Sequence, residues 1–306
     1  MHEHPISPSP VIFDRALLRR RRRRAAALGP ATFLLDRVAE DFAERLAAVL
    51  RRFELAVDLG TPGAALRTAL ARLASVGSIV AVDTIPHDDA TGATLAVVAD
   101  AEALPFRDGA LDLVVSALAL QFCNDLPGVL VQIRRALRPD GLFLAALIGG
   151  DTLSELRQSF AAAESEVEGG ISPRVAPFAD LRELGALLQR AGFALPVTDV
   201  DRLTVRYDSP FALMHDLRRM GATNMLIDRR RTPLRRATVM RMAEIYAQRF
   251  ADADGKVRAT FDIVWLSGWA PHSSQPQPLK PGSAQARLAD ALGTREISAG
   301  EKVERK

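Results

Sequence analysis

Cysteine and long apolar runs are scarce in this chain. With one cysteine, Cys123, among 306 residues, the chain cannot form an internal disulfide, which excludes the disulfide-stapled secreted domains and favours a reducing compartment. A zinc site built from several cysteines is excluded for the same reason. No apolar run approaches the about 18 residues of a membrane-spanning helix, since the longest, residues 142–148, has the length of a strand. We therefore expect a cytoplasmic protein with no transmembrane segment.

Lysine and aromatic residues are also few. Only four of the 40 basic residues are lysines, and aromatic residues make up 6% of the chain. Six arginines form one block, residues 19–24, so the excess of positive charge is concentrated there and the rest of the chain is near neutral. Basic and aromatic residues do not alternate along the sequence. Nucleic acid is therefore not an expected partner. The block is a solvated helix face, a docking site for a partner protein, or a contact with RNA or with a membrane surface as a peripheral protein.

The remaining composition, 48% hydrophobic and 25% charged, is that of an ordinary globular chain. Residues 1–12 are rich in proline and serine and predict a disordered leader. Residues 13–52 predict N-terminal helices, with apolar residues spaced by three and four over the second of them. The main domain is expected over residues 53–270. Residues 271–306 predict a loose tail with one short amphipathic piece at 284–292.

Short apolar runs bounded by turn residues alternate with helical stretches in the main domain, which is typical of a parallel α/β sheet. We interpret these runs as buried central strands. The five runs are residues 55–59, 79–83, 95–98, 111–117 and 142–148, and the helical stretches are 64–74, 127–137, 152–167 and 180–191.

Two later segments, residues 197–207 and 258–269, alternate apolar and polar residues and predict an antiparallel pair at the sheet edge. The helical residues between them, 208–257, are too many for a plain connection and predict a cap. The expected fold is α/β, with a seven-stranded doubly wound sheet, mostly parallel with an antiparallel edge strand, N-terminal helices and a helical cap insertion.

The end of the first predicted strand carries the first candidate site residues. Asp58, Gly60 and Gly63 lie where the strand gives way to a helix, the place at which α/β folds bind nucleotide-like ligands through backbone N–H groups. Asp83 ends the second strand, about 25 residues later, where an acidic side chain accepts hydrogen bonds from ribose hydroxyls.

Residues 100–106, Asp-Ala-Glu-Ala-Leu-Pro-Phe, end the third strand, and residues 111–116 begin the fourth with Leu-Asp-Leu-Val. These stretches, and the turn into the fifth strand at residues 135–143, resemble the class I S-adenosylmethionine-dependent methyltransferases. The resemblance implies S-adenosylmethionine as the cofactor and Asp100 as the ligand of its adenine amino group. Ala101 and Ser116, at the same sheet edge, complete the expected cofactor-binding residues.

Four further stretches, at residues 12–15, 124–127, 149–157 and 219–224, resemble one branch of that family. The branch contains an assembly factor of mitochondrial complex I, described as a protein-arginine hydroxylase, and the malonyl-carrier-protein O-methyltransferases of biotin synthesis. The resemblance implies a protein or carrier-bound acceptor, with a respiratory complex I subunit as the leading partner. It implies methyl transfer as the reaction class, with arginine hydroxylation as the alternative, although no two-His-one-carboxylate iron site is evident. No metal site is assigned.

Five residues are candidates for the substrate side of the site, because they follow strands at the carboxyl edge or lie in the cap. Asn124 and Asp125 are equally well explained as a helix start, and Asp151 and Thr152 as helix caps. Asn224 lies within the branch motif of the cap. No residue is assigned a catalytic role, since methyl transfer depends mainly on alignment and exclusion of water. The five candidates are Asn124, Asp125, Asp151, Thr152 and Asn224.

The first loop departs from the family pattern Asp-x-Gly-x-Gly-x-Gly. Pro62 and Ala64 stand at the second and third glycine positions, and a proline has no N–H to donate and cannot adopt a left-handed turn. Either Gly63 provides the close approach to the cofactor, or the pocket has degenerated. In the second case the chain is a non-catalytic assembly chaperone.

Overall fold

The computed structural model describes residues 11–86, 95–276 and 288–295. Of the predicted leader, residues 1–12, the first ten lie outside the described residues, as do most of the predicted tail and the start of its amphipathic piece. The chain divides into two compact units, Met1–Pro271 and His272–Lys306. Of the second unit, the described part contains a single helical turn, α9 (Leu288–Ala291).

Seven strands form one sheet in the order β3-β2-β1-β4-β5-β7-β6. Strands β1 to β5 pair in parallel, whereas β7 runs antiparallel to both β5 and β6. The prediction of a mostly parallel seven-stranded sheet with an antiparallel pair at its edge is confirmed. The strands are β1 (Phe53–Leu59), β2 (Val76–Asp83), β3 (Leu95–Val98), β4 (Leu111–Ala117), β5 (Leu137–Gly149), β6 (Ala194–Tyr207) and β7 (Val257–Trp269).

Eight helices precede β7 in the described residues, and four of them, α1, α4, α6 and α7, begin with an Asp or Ser side chain that caps the helix, as the preferences for this position favour. Asp14 accepts a hydrogen bond from the Leu17 N–H at the start of α1, and Asp180 and Glu183 form a capping box at α6. The helices are α1 (Arg15–Ala27), α2 (Phe33–Ala47), α3 (Ala65–Leu70), α4 (Leu126–Ala136), α5 (Ser154–Glu168), α6 (Leu181–Arg190), α7 (Pro210–Arg219) and α8 (Arg236–Phe250).

Apolar side chains cover both faces of the central strands. One core layer packs α2, α3, α5 and the cap helices against the sheet, and the other packs α4 and α6 against the opposite face. This explains the continuous apolar runs of β1, β4 and β5, since a strand buried on both faces needs apolar residues at every position. In the described part of the chain, no helix has the length and apolar character to cross a membrane.

The interpretation of residues 95–98 as a buried central strand is wrong. Strand β3 lies at the sheet edge beside β2, and Leu95 and Val98 are 68% and 63% exposed. The apolar run reflects the β-propensity of its residues rather than burial.

The turn residues at positions 139–141 do not interrupt the fifth strand. Strand β5 begins at Leu137, and Asp140 takes a left-handed conformation (φ 65°) where the pairing with β4 shifts register. The turn chemistry of the sequence therefore produces a bulge inside the strand.

The predicted cap contains α7 and α8, joined by residues 220–235. Helix α8 packs against α5, and α7 contacts α1. The segment before α1 is tied to the same region: Phe13 forms a bridge with Leu226, and the Asp14 N–H donates to the Met225 carbonyl at 2.8 Å. Helix α1 and the cap thus lie together over the carboxyl edge of the sheet.

Candidate active site

The loop after β1 is held by the neighbouring strands. The Gly60 N–H donates to the Val82 carbonyl at 2.7 Å, and the Thr61 hydroxyl accepts from the Ala117 N–H at 2.9 Å. Gly60 has φ 74° and lies so close to the segment after β4 that an added Cβ would be 3.2 Å from Cβ of Ala119. Gly63 has φ 68° and open space around it. Only glycine combines the left-handed φ angle with the lack of space for a Cβ at position 60 without strain.

Asp58 lies inside the sheet rather than in a cavity. Its carboxylate is fully buried and accepts from the guanidinium of Arg67, on α3, at 2.7 Å. Burial raises the pKa of Asp58 to about 6, although Arg67 opposes this shift. The carboxylate therefore fixes α3 against β1, and it does not line either of the cavities described below.

Asp83 ends β2 with its side chain only 3% exposed, and an arginine of α1 contacts it. Nη2 of Arg22 lies 2.7 Å from Oδ2 of Asp83, and Nη1 lies 3.3 Å from Oδ1. The same Nη2 donates to the Gly60 carbonyl at 3.0 Å. Arg22 thus bridges the two elements that the sequence assigns to the cofactor.

Asp100 is contacted in the same way by the first turn of α1. Nη2 of Arg15 lies 2.6 Å from Oδ1 of Asp100, and Nη1 lies 2.7 Å from Oε2 of Glu102. Ser116 is fully buried and its hydroxyl donates to the Leu59 carbonyl at 2.7 Å, so it stabilises the pairing of β1 and β4.

A small cavity of about 50 Å³ lies between α1 and the edge of the sheet. Gly60, Asp83 and Ala101 line it from the sheet side, and Arg15, Leu18 and Arg22 from α1. Cys123 lies on the same wall, where burial raises the pKa of its thiol to about 12 and keeps it protonated. A volume of this size holds one or two waters. The side chains of α1 therefore fill the space over Asp83 and Asp100.

A larger cavity of about 1060 Å³ opens beside it, between α1, α2, α5 and the cap. Gly63, Asp83 and Ile85 line one end, at the sheet edge, and Met214, Leu217 and Met220 line the end below α7. The volume is at the upper limit of ordinary ligand pockets, about 300–1,000 Å³. One continuous space therefore joins two of the predicted cofactor residues, Gly63 and Asp83, to the cap.

The structure brings two of the five substrate-side candidates into this cavity. Thr152 lines it, with its hydroxyl donating to the Gly149 carbonyl at 2.7 Å, and so does Asn224, whose amide donates to the Pro173 carbonyl at 2.7 Å. Both polar groups are engaged with backbone, so their role in the cavity is to shape its wall.

The other three candidates lie outside the two cavities. Oδ1 of Asn124 accepts from the N–H groups of residues 12 and 13, each at 2.8 Å, and anchors the segment before α1. Asp125 caps α4 through the Gly128 N–H at 2.9 Å. Asp151 pairs with Arg202 at 2.8 Å, and its side chain is 70% exposed.

Sequence reasoning missed Arg15, Arg22 and Arg174 as residues of the site. Arg15 and Arg22 are seven positions apart, with Leu18 between them, so they share one face of α1. The sequence shows this spacing within the basic segment. It does not show which surface of the sheet this face of α1 covers. Within the described parts of the chain, no group of three or more His, Cys, Asp or Glu side chains is arranged to hold a metal ion.

Comparison with known proteins agrees with this arrangement. Residues 57–145 match the model of a methyltransferase domain. The human protein named arginine-hydroxylase NDUFAF5, mitochondrial, is 40% identical over 287 residues, which are 91% of this chain and 83% of that protein. The chain belongs to the methyltransferase family, in the branch of NDUFAF5. The family resemblance inferred from the sequence is thereby confirmed.

Two further proteins are similar to this methyltransferase-family chain over part of its length or in fold. The malonyl-[acyl-carrier protein] O-methyltransferase of Xylella fastidiosa is 41% identical over 174 residues, 57% of each chain. A Bacillus halodurans protein described as a methyltransferase has a TM-score of 0.52, with 16% identity, over 76% of this chain and 98% of that one. At that identity the structural match shows the fold alone.

The residues at the sheet edge fit the cofactor of a methyltransferase in part. Asp83 is buried at the end of β2, and Gly60 and Gly63 have the left-handed conformations that let a backbone approach a ligand. The small cavity, however, leaves no room for an adenosine while Arg15 and Arg22 occupy Asp100 and Asp83. The site therefore fits the cofactor once these arginines of α1 have moved.

Proposed function

We propose that this chain is an S-adenosylmethionine-dependent enzyme that modifies an acceptor bound in the large cavity. The observation that carries the proposal is the continuity of that cavity, which joins Gly63 and Asp83 at the sheet edge to Leu217 and Met220 below the cap. An enzyme with two substrates needs such a shared space, because the reacting atoms must meet out of water.

In this proposal the carboxylate of Asp83 accepts hydrogen bonds from the ribose hydroxyls, and Asp100 accepts from the adenine amino group. Gly60 and Gly63 let the loop after β1 approach the cofactor closely, and Ala101 borders the adenosine. Asp58 and Ser116 act from within the sheet, by fixing α3 and the pairing of β1 with β4.

S-adenosylmethionine supplies an electrophilic methyl group on a sulfonium centre. The residues of this chain orient and enclose the reactants: the apolar walls from α2, α5 and the cap exclude water, and the cap fixes the approach of the acceptor. Proximity and alignment supply most of the rate enhancement in such a site, so an acid-base pair is not required.

We propose a protein or carrier-bound acceptor, with a respiratory complex I subunit as the leading partner, in the cytoplasm. The experiment incubates the purified chain with S-adenosylmethionine labelled in its methyl group and with an extract of cells that lack the chain. Label is expected in a discrete acceptor, and Asp83→Asn should reduce it at least about tenfold. The matched control is Asp108→Asn, which changes an exposed carboxylate that lines neither cavity. Cofactor binding with no label transferred would contradict the proposal.

Arginine hydroxylation is the second candidate. The human relative named arginine-hydroxylase, of which this chain covers 83%, favours it. The two reactions leave different marks on the acceptor: methylation adds one methylene unit and hydroxylation adds one oxygen atom. Intact-mass analysis of the acceptor separates them directly.

A non-catalytic assembly chaperone is the third candidate, favoured by Pro62, which lies in the wall of the large cavity without an N–H to donate. A stable complex with a respiratory subunit, unchanged by Asp83→Asn and accompanied by no modification, would support it over both enzymatic functions.

A further inference from the structure

The turn after β4 holds a leucine in a conformation that costs free energy. Leu118 has φ 53°, in the left-handed region that a bulky residue rarely adopts. Its N–H donates to the Ala146 carbonyl of β5 at 2.8 Å, so the turn is fixed to the neighbouring strand. Backbone strain of this kind persists only where the surrounding structure holds it, and such residues cluster at binding and active sites.

A second leucine has the same conformation at the end of the next strand. Leu153 follows β5 with φ 55°, and its N–H donates to the Thr260 carbonyl at 2.8 Å. Strands β4 and β5 are parallel neighbours in the sheet, and Leu118 and Leu153 both line the large cavity. Of the four described non-glycine residues with a positive φ, these two are the ones in its wall. The strained backbone therefore marks one region of the cavity, at the carboxyl ends of β4 and β5.

The side chain of Gln121 closes the turn at Leu118. Its Nε2 donates to the Leu118 carbonyl at 2.8 Å, and because a carbonyl only accepts, this contact settles which end of the amide carries the hydrogens. Oε1 of Gln121 is buried and has no hydrogen-bond partner among the described residues. In the described walls of the two cavities, no other side chain leaves a buried oxygen or nitrogen in this state.

An unpartnered oxygen in this place is unfavourable for the unliganded chain. A buried polar atom without a hydrogen bond costs about 1–3 kcal/mol, and the large majority of such atoms in native proteins have a partner. Gln121 is only partly buried as a whole and lines the large cavity, so a bound molecule reaches its amide from that side. The missing partner is a donor, since a carboxamide oxygen only accepts.

We propose that Oε1 of Gln121 accepts a hydrogen bond from an N–H or O–H group of the acceptor and orients its reacting atom at the ends of β4 and β5. The proposal rests on the function proposed above and adds the residue that selects an acceptor with a hydrogen to donate. The carboxamide takes no proton, and the left-handed turn at Leu118 holds it in place. The same turn contains Ala119, the close neighbour of Gly60, so the acceptor is held next to the loop assigned to the cofactor.

Titration with two small probes, phenol and toluene, tests the hydrogen bond without the cofactor. The probes are similar in size, and only phenol has a hydrogen to donate. The ratio of the phenol affinity to the toluene affinity should fall by about twofold to tenfold from the unmutated chain to Gln121→Met, which is the effect of one hydrogen bond. The matched control, Gln158→Met, changes an exposed residue of α5 that lines neither cavity and should keep the ratio. An unchanged ratio in Gln121→Met would overturn the proposal.

The carboxamide resonances of Gln121 report the contact directly. In the isotope-labelled full chain they are assigned by their absence from the spectrum of Gln121→Met. Phenol should shift the carboxamide carbon resonance, and toluene at equal occupancy should shift it less, because a hydrogen bond to the oxygen polarises the carbonyl. Equal shifts by the two probes would show an apolar contact without a hydrogen bond and would contradict the proposal.

Leu118→Gly separates the hydrogen bond to a bound molecule from the structural role of the amide. Glycine adopts the left-handed conformation without strain, so the turn no longer depends on Gln121. Leu118→Gly should keep the probe ratio of the unmutated chain, and the addition of Gln121→Met should lower it by the same factor as before. The same ratio in Leu118→Gly with and without Gln121→Met would mean that the amide acts only on the turn, and the proposal would fall.

Titration with S-adenosylhomocysteine and the label-transfer assay test whether the donor belongs to the acceptor. Gln121→Met should keep its affinity for S-adenosylhomocysteine and transfer about tenfold less label than Gln158→Met. A loss of affinity for S-adenosylhomocysteine would place Oε1 at the cofactor, and equal label from both variants would remove Gln121 from the reaction, so either result overturns the assignment. A probe ratio that depends on Gln121 in a chain that transfers no label would leave the donor site standing and reject the enzymatic function.

Discussion

At the scale of single residues, Gly60 and Gly63 show how little freedom the loop after β1 retains. Both have left-handed φ angles, but only Gly60 has a close neighbour. An added Cβ at Gly60 would lie 3.2 Å from Cβ of Ala119, in the segment after β4. Pro62, between them, keeps the loop stiff. The altered glycine pattern therefore still gives a turn of defined shape, with its tightest requirement at the first glycine.

Gly60→Ala should lower the free energy of unfolding by about 2 kcal/mol or more. The left-handed conformation costs an alanine about 1–2 kcal/mol, and the close contact of its Cβ with Ala119 adds to this cost. Gly63→Ala, with open space around it, should lower it by about 1–2 kcal/mol from backbone strain alone. Gly170→Ala, with neither a left-handed φ nor a neighbour within 4 Å, is the control and should change little. Urea unfolding measures all three. An equal loss in the variants at positions 60 and 63 would contradict the contact with Ala119.

The position of Asp83 at a strand end was predictable from the sequence, because a short apolar run followed by an acidic residue marks the carboxyl edge of a parallel sheet. Its contact with Arg22 was not, since that pairing joins residues 61 positions apart and depends on where α1 lies. The same holds for the contact of Arg174 with Glu164. It depends on the burial of Glu164, which the helical periodicity of α5 does not specify.

At the scale of elements, α1 fills the space over Asp83 and Asp100, where we propose that the cofactor binds. Arg15 and Arg22 contact the two carboxylates that the family assigns to adenosine, and Leu18 lies between them. The segment before α1 is anchored on Asn124 and Met225, so the helix is attached at its start. If Asp83 and Asp100 bind the cofactor as we propose, cofactor binding competes with this helix for both carboxylates.

Arg22→Ala should raise the affinity for S-adenosylhomocysteine by several-fold, up to about tenfold, because the competing contact with Asp83 is removed and more of the chain is ready to bind. High salt should raise the apparent affinity of the unmutated chain relative to the variant, since it weakens the ion pair. Arg24→Ala, an exposed arginine near the end of α1, is the control. Weaker binding by Arg22→Ala would show instead that Arg22 holds the cofactor.

The elements themselves were largely predictable where periodicity is clear. The bounds of β4, Leu111–Ala117, agree with the apolar run, and α5 and α6 agree within two residues at each end. The burial of β3 and the bulge at Asp140 were not predictable, because the first depends on strand order and the second on register with β4. Local sequence specifies whether a segment forms a strand more directly than it specifies which strands pair with that segment.

At the scale of the whole molecule, buried carboxylates tie the stability of the fold to pH. Burial alone would raise the pKa of Glu164, but hydrogen bonds from Ser172 and Arg174 outweigh it, and the pKa lies below its usual value. Burial likewise opposes the hydrogen bonds of Arg202 that lower the pKa of Asp262. In both cases the unfolded chain binds the proton more readily than the folded chain.

Stability from these groups should therefore be complete above the usual carboxyl pKa values of about 4, and should be lost as the pH falls through the lower folded-state values. The double variant Arg174→Gln with Glu164→Gln should show a shallower loss between about pH 5 and pH 3 than the unmutated chain. Urea unfolding across that range measures the slope. A steeper acid loss in the variant would contradict the lowered pKa of Glu164.

The central claim is that the sheet edge at Asp83 binds the cofactor of a methyltransferase, and calorimetric titration with S-adenosylhomocysteine tests it most directly. We expect micromolar binding, on the order of −8 kcal/mol, with Asp83→Asn weaker by about tenfold or more and Asp108→Asn unchanged. Absence of binding by the unmutated chain, or equal binding by Asp83→Asn, would contradict the assignment of the site.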